Sequence, residues 1–274
     1  MASYPVTGIN IGSFPLGESD KVITIFSPER GLIKAVAKGA RKPGSKIAGR
    51  AEILQVNDLL ISSTRSIDII TQAQTVKTFS RLRQNLELLS YGLYYAELTV
   101  HFGAGLCDEA KAYFDYLLFS LGRLNESGIE PAWLSLSFEM GLLEMLGYQP
   151  ELDSCVLCRQ TLNDYNLAIF HEELGGIVCR TCLDNRRMKR VAQSHDEADE
   201  QFSFYGKVQV TPLVWKHLVL AGQSAFDQEL SPSVQNMLSK QSLRMSLKAA
   251  RNLVQSYIEE RIGKRIKALD LLNA

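Results

Sequence analysis

Four of the five cysteines stand in two close pairs, and this spacing constrains the fold more than any other feature of the sequence. Two residues separate Cys155 from Cys158 and Cys179 from Cys182, and twenty residues separate the pairs. Each C-x2-C pair forms a tight turn that aims two sulfurs at one point, so two pairs complete a tetrahedron around a metal ion. The spacing therefore predicts one structural zinc ion per chain, held by Cys155, Cys158, Cys179 and Cys182.

The two cysteine pairs could also have other roles. Buried thiols remain open, whereas a redox-active C-x-x-C usually occurs once, in a βαβ setting that this sequence lacks. Residues 171–173 (HEE) before Cys179 are similar to part of the zinc deaminase pattern, but Val178 replaces its proline and the first cysteine pair would have no role. We therefore expect His171 at the surface or beside the metal ligands. Cys107 is expected to be an ordinary buried residue.

The first 79 residues have the pattern of short strands, and the remainder is mostly helical. Five runs rich in Val, Ile and Thr suit a small barrel. From about residue 80 the apolar spacing is helical, with Leu82, Leu86 and Leu89 on the expected buried face. We predict an α+β fold: an N-terminal five-stranded barrel, then an all-helical domain with an inserted four-cysteine module. The predicted segments are 1–79 (barrel), 80–149 (first helical part), 150–190 (zinc-binding insert) and 191–274 (an acidic link at 191–204 and the second helical part).

The formal net charge is zero, but the charges are unevenly distributed. Residues 30–50 contain seven Lys or Arg and no acid, and residues 244–267 contain seven bases against two acids. Residues 87–151 are acidic. This asymmetry indicates a localised face that binds a polyanion. The candidate DNA-binding residues are Arg30, Lys34, Lys38, Arg41, Lys42, Lys46 and Arg50.

Residues 38–46 (KGARKPGSK) nearly match the phosphate-binding pattern G-x-x-x-x-G-K-[ST]. Ser45 stands where the lysine should be, and Pro43 removes an N–H from the cradle. The pattern thus predicts a basic loop that binds no nucleotide. No catalytic pattern stands out elsewhere, and no signal peptide or membrane-spanning stretch is apparent.

Four stretches together resemble the bacterial RecO family of DNA repair and recombination proteins. They are residues 18–26 (ESDKVITIF), 31–42 (GLIKAVAKGARK), 143–158 (LEMLGYQPELDSCVLC) and 257–263 (YIEERIG). The resemblance covers nearly the whole chain except the acidic link 191–204. It implies an N-terminal OB-fold, a helical domain and a zinc-binding insert.

The resemblance also implies a function. RecO-like proteins bind single- and double-stranded DNA, anneal complementary strands and, with RecR, help load RecA onto DNA coated by single-strand-binding protein, whose acidic C-terminal tail they contact. The resemblance also implies a non-enzymatic activity and a cytoplasmic, nucleoid-associated location. In this chain we expect phosphate contacts with little sequence preference, and Phe14, Phe26 and Phe79 in the core. The residues expected to complete the tail pocket are Arg244, Lys248 and Arg251.

Two other functions stay open at this point. One is a zinc-ribbon adaptor that joins proteins and has no DNA affinity of its own. The feature that distinguishes such an adaptor from a DNA-binding protein is whether the cations of residues 30–50 share a face with the basic C-terminal helix. The other is a hydrolase, which would need a pocket of titratable groups that the sequence does not reveal.

Overall fold

The computed structural model describes residues 2–106, 108–126, 128–185, 208–227, 234 and 243–272. The acidic link 191–204 and Cys107 lie outside this set. The chain packs as two compact units, Met1–Pro131 with Arg265–Ala274, and Ala132–Lys264. The sequence-based division at residues 79, 149 and 190 follows composition, whereas this one follows packing, and the former stays a prediction.

Five strands form a closed barrel at the start of the first unit, and the predicted OB-like fold is confirmed. The strands are β1 (Ser3–Leu16), β2 (Asp20–Ser27), β3 (Gly31–Ala37), β4 (Gln55–Ser62) and β5 (Asp68–Thr78). Their order is β1-β2-β3-β5-β4, and β4 pairs with β1 to close the barrel. Only the β3–β5 pair is parallel.

The barrel interior is filled by aliphatic side chains from alternate strand positions, because successive side chains of a strand point to opposite faces. Ile23, Ile25 and Ile61 are fully buried there. Gly8 of β1 faces this interior, and a Cβ at that position would lie 2.4 Å from Ile25 Cγ2 and 3.1 Å from the Phe26 carbonyl oxygen. The packing at this point therefore leaves no room for a side chain.

We expect Gly8→Ala to lower the free energy of unfolding by about 1–3 kcal/mol, because overpacking a filled core displaces its neighbours. Gly12→Ala is the matched control on the same strand, since a Cβ there would lie 3.5 Å from Thr24 Cβ, an ordinary contact. The control should change the stability by less than about 1 kcal/mol. Urea unfolding measures both variants, and equal destabilisation would contradict the packing argument.

Helices make up most of the rest of both units. No described helix is long and apolar enough to cross a membrane. Residues 180–185 are also helical. The remaining helices are α1 (Ser80–Gln84), α2 (Leu86–Phe102), α3 (Ala110–Glu126), α4 (Pro131–Met145), α5 (Pro212–Gln223), α6 (Arg244–Ile262) and α7 (Ala268–Leu272).

The helix predicted from about residue 80 onward is interrupted at Asn85. The backbone of Asn85 is extended (φ −123°, ψ 116°), and its side chain accepts a hydrogen bond from the Leu88 N–H at 3.1 Å, so it caps α2. The interruption changes which residues face inward. Leu88 is buried, whereas Leu86 is 81% exposed. The prediction that Leu86 faces the core is therefore wrong.

The second unit is built around α4, whose residues from Trp133 to Leu143 are all buried. The segment that contains the four cysteines, residues 151–185, is called the cysteine module below. Two aromatic side chains attach it to the helices. The Trp215 indole N–H of α5 donates to the Leu152 carbonyl at 2.9 Å. The Tyr257 ring of α6 packs edge-on against Phe170, with the ring centroids 5.4 Å apart.

Candidate metal centre and nucleic-acid interface

The structure brings the four paired cysteines together. The sulfur atoms of Cys155, Cys158, Cys179 and Cys182 all lie within 4.8 Å of one another, and those of Cys158 and Cys179 are 3.7 Å apart. In a tetrahedral site with Zn–S bonds of about 2.3 Å, neighbouring sulfurs are about 3.8 Å apart. The four sulfurs could therefore hold a single metal ion.

A short hairpin positions the sulfurs. It consists of β6 (Leu167–His171) and β7 (Gly176–Cys179), so Cys179 ends a strand and Cys182 lies in the helical residues that follow. The first pair is attached to β7 by the Val156 N–H, which donates to the Ile177 carbonyl at 3.0 Å. Gly176 allows the segment before Cys155 to lie close to β7, because a Cβ on Gly176 would be 2.5 Å from the Glu151 carbonyl oxygen.

The surroundings of the sulfurs shift the pKa values of the four-cysteine cluster in different directions. Burial opposes ionisation of Cys155, but backbone N–H groups, including that of Cys179 at 3.3 Å from the sulfur, outweigh it and lower the pKa of this thiol to about 7. Burial and hydrogen bonding to the neighbouring sulfurs raise the pKa of Cys182, and burial is also the main cause that raises the pKa of Cys179. A metal bound by all four sulfurs would displace the remaining protons.

His171 does not join the sulfurs. Among the described residues, the cluster able to hold a metal contains the four cysteines alone. His171 lies in β6 and is fully buried, so the expectation of a surface position is wrong. Its strand is buried along its whole length, which the short run LAIFH did not reveal. This arrangement gives no support to the deaminase interpretation.

The second candidate site is the set of cations on the barrel. Six of the seven are exposed, and Arg50 is half-buried. None of the seven belongs to an ion pair within the described part of the chain. Five of them lie in the connection between β3 and β4, residues 38–50, which is called the basic loop below. They are Lys38, Arg41, Lys42, Lys46 and Arg50.

The other two cations lie outside the basic loop. Lys34 is on β3, and Arg30 is in the turn before it, so Arg30 is separated from the basic loop by the length of the strand, about 20 Å. The Arg30 guanidinium lies 4.0 Å from the centroid of the Tyr4 ring. The structure therefore unites five of the predicted contacts and leaves Arg30 apart from them.

The basic loop is anchored to the turn between β1 and β2. The Gly39 N–H donates to Asp20 Oδ1 at 2.8 Å, and the Arg41 N–H donates to the Ser19 carbonyl at 2.9 Å. Hydrogen bonds lower the pKa of the Asp20 carboxyl group below its usual range. The largest contribution comes from the Gly39 N–H, and the next from the Ser19 hydroxyl. The sequence pattern did not identify Asp20, because its partner lies 19 residues away.

Several amides of the basic loop already have hydrogen-bond partners within the loop. The N–H groups of Lys42, Ser45 and Ala48 each donate to the carbonyl three residues earlier, at 3.0–3.2 Å. These turns use part of the set of N–H donors that a phosphate cradle would need. We therefore expect contacts between this loop and phosphate to come mainly from the side chains.

The three cations of α6 that were predicted to complete the tail pocket differ in how exposed their side chains are. Arg244 and Lys248 are exposed on α6. Arg251, expected to complete the tail pocket with them, is only 9% exposed. It directly follows the buried Ala250 and precedes the buried Leu253, so it lies on the inner side of the helix. Met245, beside Arg244, is 85% exposed.

Comparison with known protein families gives matches to the barrel and to the helical region with the cysteine module. A family model described as "Recombination protein O N terminal" matches residues 1–79, and one described as "Recombination protein O C terminal" matches residues 83–197. Three of the four stretches noted in the sequence lie within these two matches, and residues 257–263 lie beyond them. The first match covers the whole barrel, and the second covers α2 to α4 and the cysteine module.

Individual relatives lead to the same family. The DNA repair protein RecO of Synechococcus sp. is 35% identical over 202 residues, which is 69% of this chain and 70% of that protein. That of Gloeobacter violaceus is 36% identical over 195 residues, covering 68% and 71%. That of Cyanothece sp. is 38% identical over 167 residues, covering 60% and 56%. The chain, with its barrel, helical region and four-cysteine cluster, belongs to the RecO family of DNA repair proteins.

Proposed function

We propose that this chain is a non-enzymatic DNA-binding mediator of recombinational repair. It binds single- and double-stranded DNA, anneals complementary strands and, with RecR, helps load RecA onto DNA coated by single-strand-binding protein. Family membership supports the role in repair. The DNA-binding part rests on one observation: the basic loop presents five cations, and no described carboxylate forms an ion pair with them.

The basic loop suits a backbone contact of this kind. Its cations stand on a barrel of the type that binds single strands in a charged groove. Contacts made by lysine and arginine to phosphate do not depend on the DNA sequence. An annealing protein needs this independence if it is to act on any pair of strands. The same charges would reduce the repulsion between two strands held close together.

We further propose that the metal is zinc, one ion per chain. Four thiolate ligands at tetrahedral spacing are typical of structural zinc sites, and such a site leaves no position for a reacting water. When bound, the metal supplies a crosslink between the two cysteine pairs. The chain itself orients the sulfurs through the β6–β7 hairpin and the N–H···S bond from Cys179 to Cys155.

The test of the DNA-binding proposal is a titration of the full chain against labelled oligonucleotides of single- and double-stranded form, at several salt concentrations. We expect binding to both forms that weakens as salt rises, together with faster annealing of complementary strands. Absence of binding at low salt would overturn the proposal and would favour the zinc-ribbon adaptor.

The partner proposal concerns the acidic tail of single-strand-binding protein. Such a tail requires cations beside an apolar surface. On α6, Arg244 and Lys248 are exposed one turn apart, and the exposed Met245 lies next to them. We therefore assign Arg244 and Lys248 to the tail contact. Arg251, also expected there from the sequence, is only 9% exposed and is therefore left out of the proposed contact.

Replacing both Arg244 and Lys248 by alanine should weaken binding of a tail peptide by roughly tenfold, since exposed charge pairs contribute modestly each. Fluorescence anisotropy with a labelled peptide measures the change. Lys264→Ala, an exposed cation just after α6, is the control and should leave the affinity unchanged. Unaltered affinity in the double variant would refute the assignment.

A further inference from the structure

The end of β1 exposes an aromatic side chain that the sequence places in the core. Phe14 is 50% exposed and Leu16, two residues on, is 42% exposed. The two other phenylalanines considered with it behave as predicted, because Phe26 and Phe79 are fully buried. Phe14 is therefore the exception, and its surroundings show what it could bind.

An irregularity in β1 turns Phe14 outward. The pairing of β1 with β2 shifts register between Asn10 and Gly12. Beyond that shift Ser13 pairs with Ile23, whose side chain fills the barrel interior. Because neighbouring side chains alternate, Phe14 points to the outside of the barrel. Such bulges are known to re-aim side chains in this way.

Phe14 lies on a firm apolar base. It pairs with Val22 of β2, and Val22 pairs with Val36 of β3, so the three form a row across the outer face. Val22 and Val36 are 2% and 5% exposed. Lys34 is on the same face of β3 as Val36, two residues away, and is exposed. The row therefore offers one open aromatic ring with a cation nearby.

The same strand end is joined to the basic loop. The Arg41 guanidinium donates to the Gly17 carbonyl at 2.8 Å, immediately after Leu16. The loop is also bonded to Ser19 and Asp20, as described above. These bonds hold the first part of the basic loop, with Arg41, against the turn that follows β1. An exposed aromatic near positive charge is the combination that single-strand-binding barrels use.

We propose that Phe14 is a stacking platform for an unpaired base of single-stranded DNA whose phosphates are held by the basic loop. This inference rests on the proposed DNA binding. The aromatic face of Phe14 stacks on the base, and Leu16 extends the apolar contact. A base in a duplex is already stacked on both sides, so it does not use the platform. Phe14 therefore favours single strands over duplexes, which phosphate contacts alone do not do.

The test compares Phe14→Leu with the unaltered full chain. Leucine keeps an apolar cover over Val22 but has no aromatic face. Affinity for an oligo-dT strand should fall roughly 5- to 150-fold, the range for loss of one base–aromatic stack. Affinity for a duplex of the same length should stay within about twofold, and the salt dependence should be unchanged because no phosphate contact is lost.

Phe14→Trp is the rescue variant. It should restore single-strand affinity, and its added tryptophan emission should be quenched by oligo-dT and not by the duplex. Leu271→Ala is the control, since this half-exposed side chain of α7 lies in the same unit, on a helix that packs against α2.

Two results would overturn the inference. One is single-strand affinity in Phe14→Leu equal to that of the unaltered chain while salt-dependent binding persists. The other is an equal loss of affinity for single strands and duplexes. Failure of the underlying DNA-binding proposal gives a different result, because the unaltered chain would then show no salt-dependent binding to either form.

Discussion

Replacing Cys158 by serine is expected to abolish stoichiometric zinc binding and to unfold the cysteine module locally. Zinc bound by four thiolates is worth about 10–16 kcal/mol in zinc-finger peptides at pH 7. A whole folded domain is stable by only about 5–15 kcal/mol, so the effect should be large. Metal analysis of the purified protein measures the first effect. Hydrogen exchange at the Val156 and Cys179 amides, bonded to Ile177 O and Cys155 Sγ, measures the second.

Cys107→Ser is the control, because it changes the one cysteine outside the two pairs. It should leave one zinc ion per chain. The DNA affinity of the Cys158→Ser variant should change little, because the basic loop and the four cysteines belong to different compact units. Purified, unaltered protein that holds no metal, while both amides remain protected, would contradict the prediction.

Zinc affinity should also rise with pH. The pKa values of Cys179 and Cys182 are raised above their usual value, so both thiols are protonated at pH 7 and lose their protons when the metal binds. Release of at least two protons makes the logarithm of the apparent affinity rise by about two or more per pH unit. Below pH 7, protonation of Cys155, whose pKa is about 7, should steepen the dependence. A competition titration at pH 6, 7 and 8 measures it.

The second large effect is expected in the basic loop. For single strands, the logarithm of the affinity falls with the logarithm of the salt concentration by about 0.7 per phosphate neutralised. Five contacts predict a slope of about −3.5. Replacing Arg41 and Lys42 by alanine should reduce its magnitude by about 1.4, which corresponds to an affinity loss of roughly 25-fold at 0.1 M salt. Annealing should slow in parallel, and ATP should alter none of these values.

A matched control removes two charges elsewhere in the same unit. Lys111 and Arg265 are exposed and form ion pairs with Asp115 and Asp270. The double alanine variant of these residues has the same net charge as the loop variant but should keep the full salt slope. If the two variants behave alike, the effect is one of net charge and the assignment of the loop is wrong. Tight ATP binding would also contradict it.

Several local features could be predicted from short stretches of sequence. The cysteine cluster is one, because each C-x2-C turn sets the position of its own two sulfurs. The basic character of residues 38–50 is another, because no acid occurs in that stretch to neutralise it. The five strands follow from their Val, Ile and Thr content and their turn residues. These features depend on neighbours within a few positions along the chain.

Other features could not be predicted from the spacing of apolar residues. Whether Phe14 faces inward was decided by the register shift near Asn10, and one residue of slip reverses every side chain beyond it. Leu86 became exposed when Asn85 ended one helix and capped the next. Arg251 was buried although α6 is rich in exposed charge.

The sequence by itself therefore determined the chemistry available to this protein: four sulfurs at metal-binding spacing, a cluster of cations and a barrel to present them. Only the tertiary structure decided which side chains are accessible. Spacing along a chain sets local geometry, whereas exposure depends on strand register, helix phase and the packing of distant residues. The open ring of Phe14 beside the basic loop is a consequence of that register, because without the shift in β1 the ring would point into the barrel.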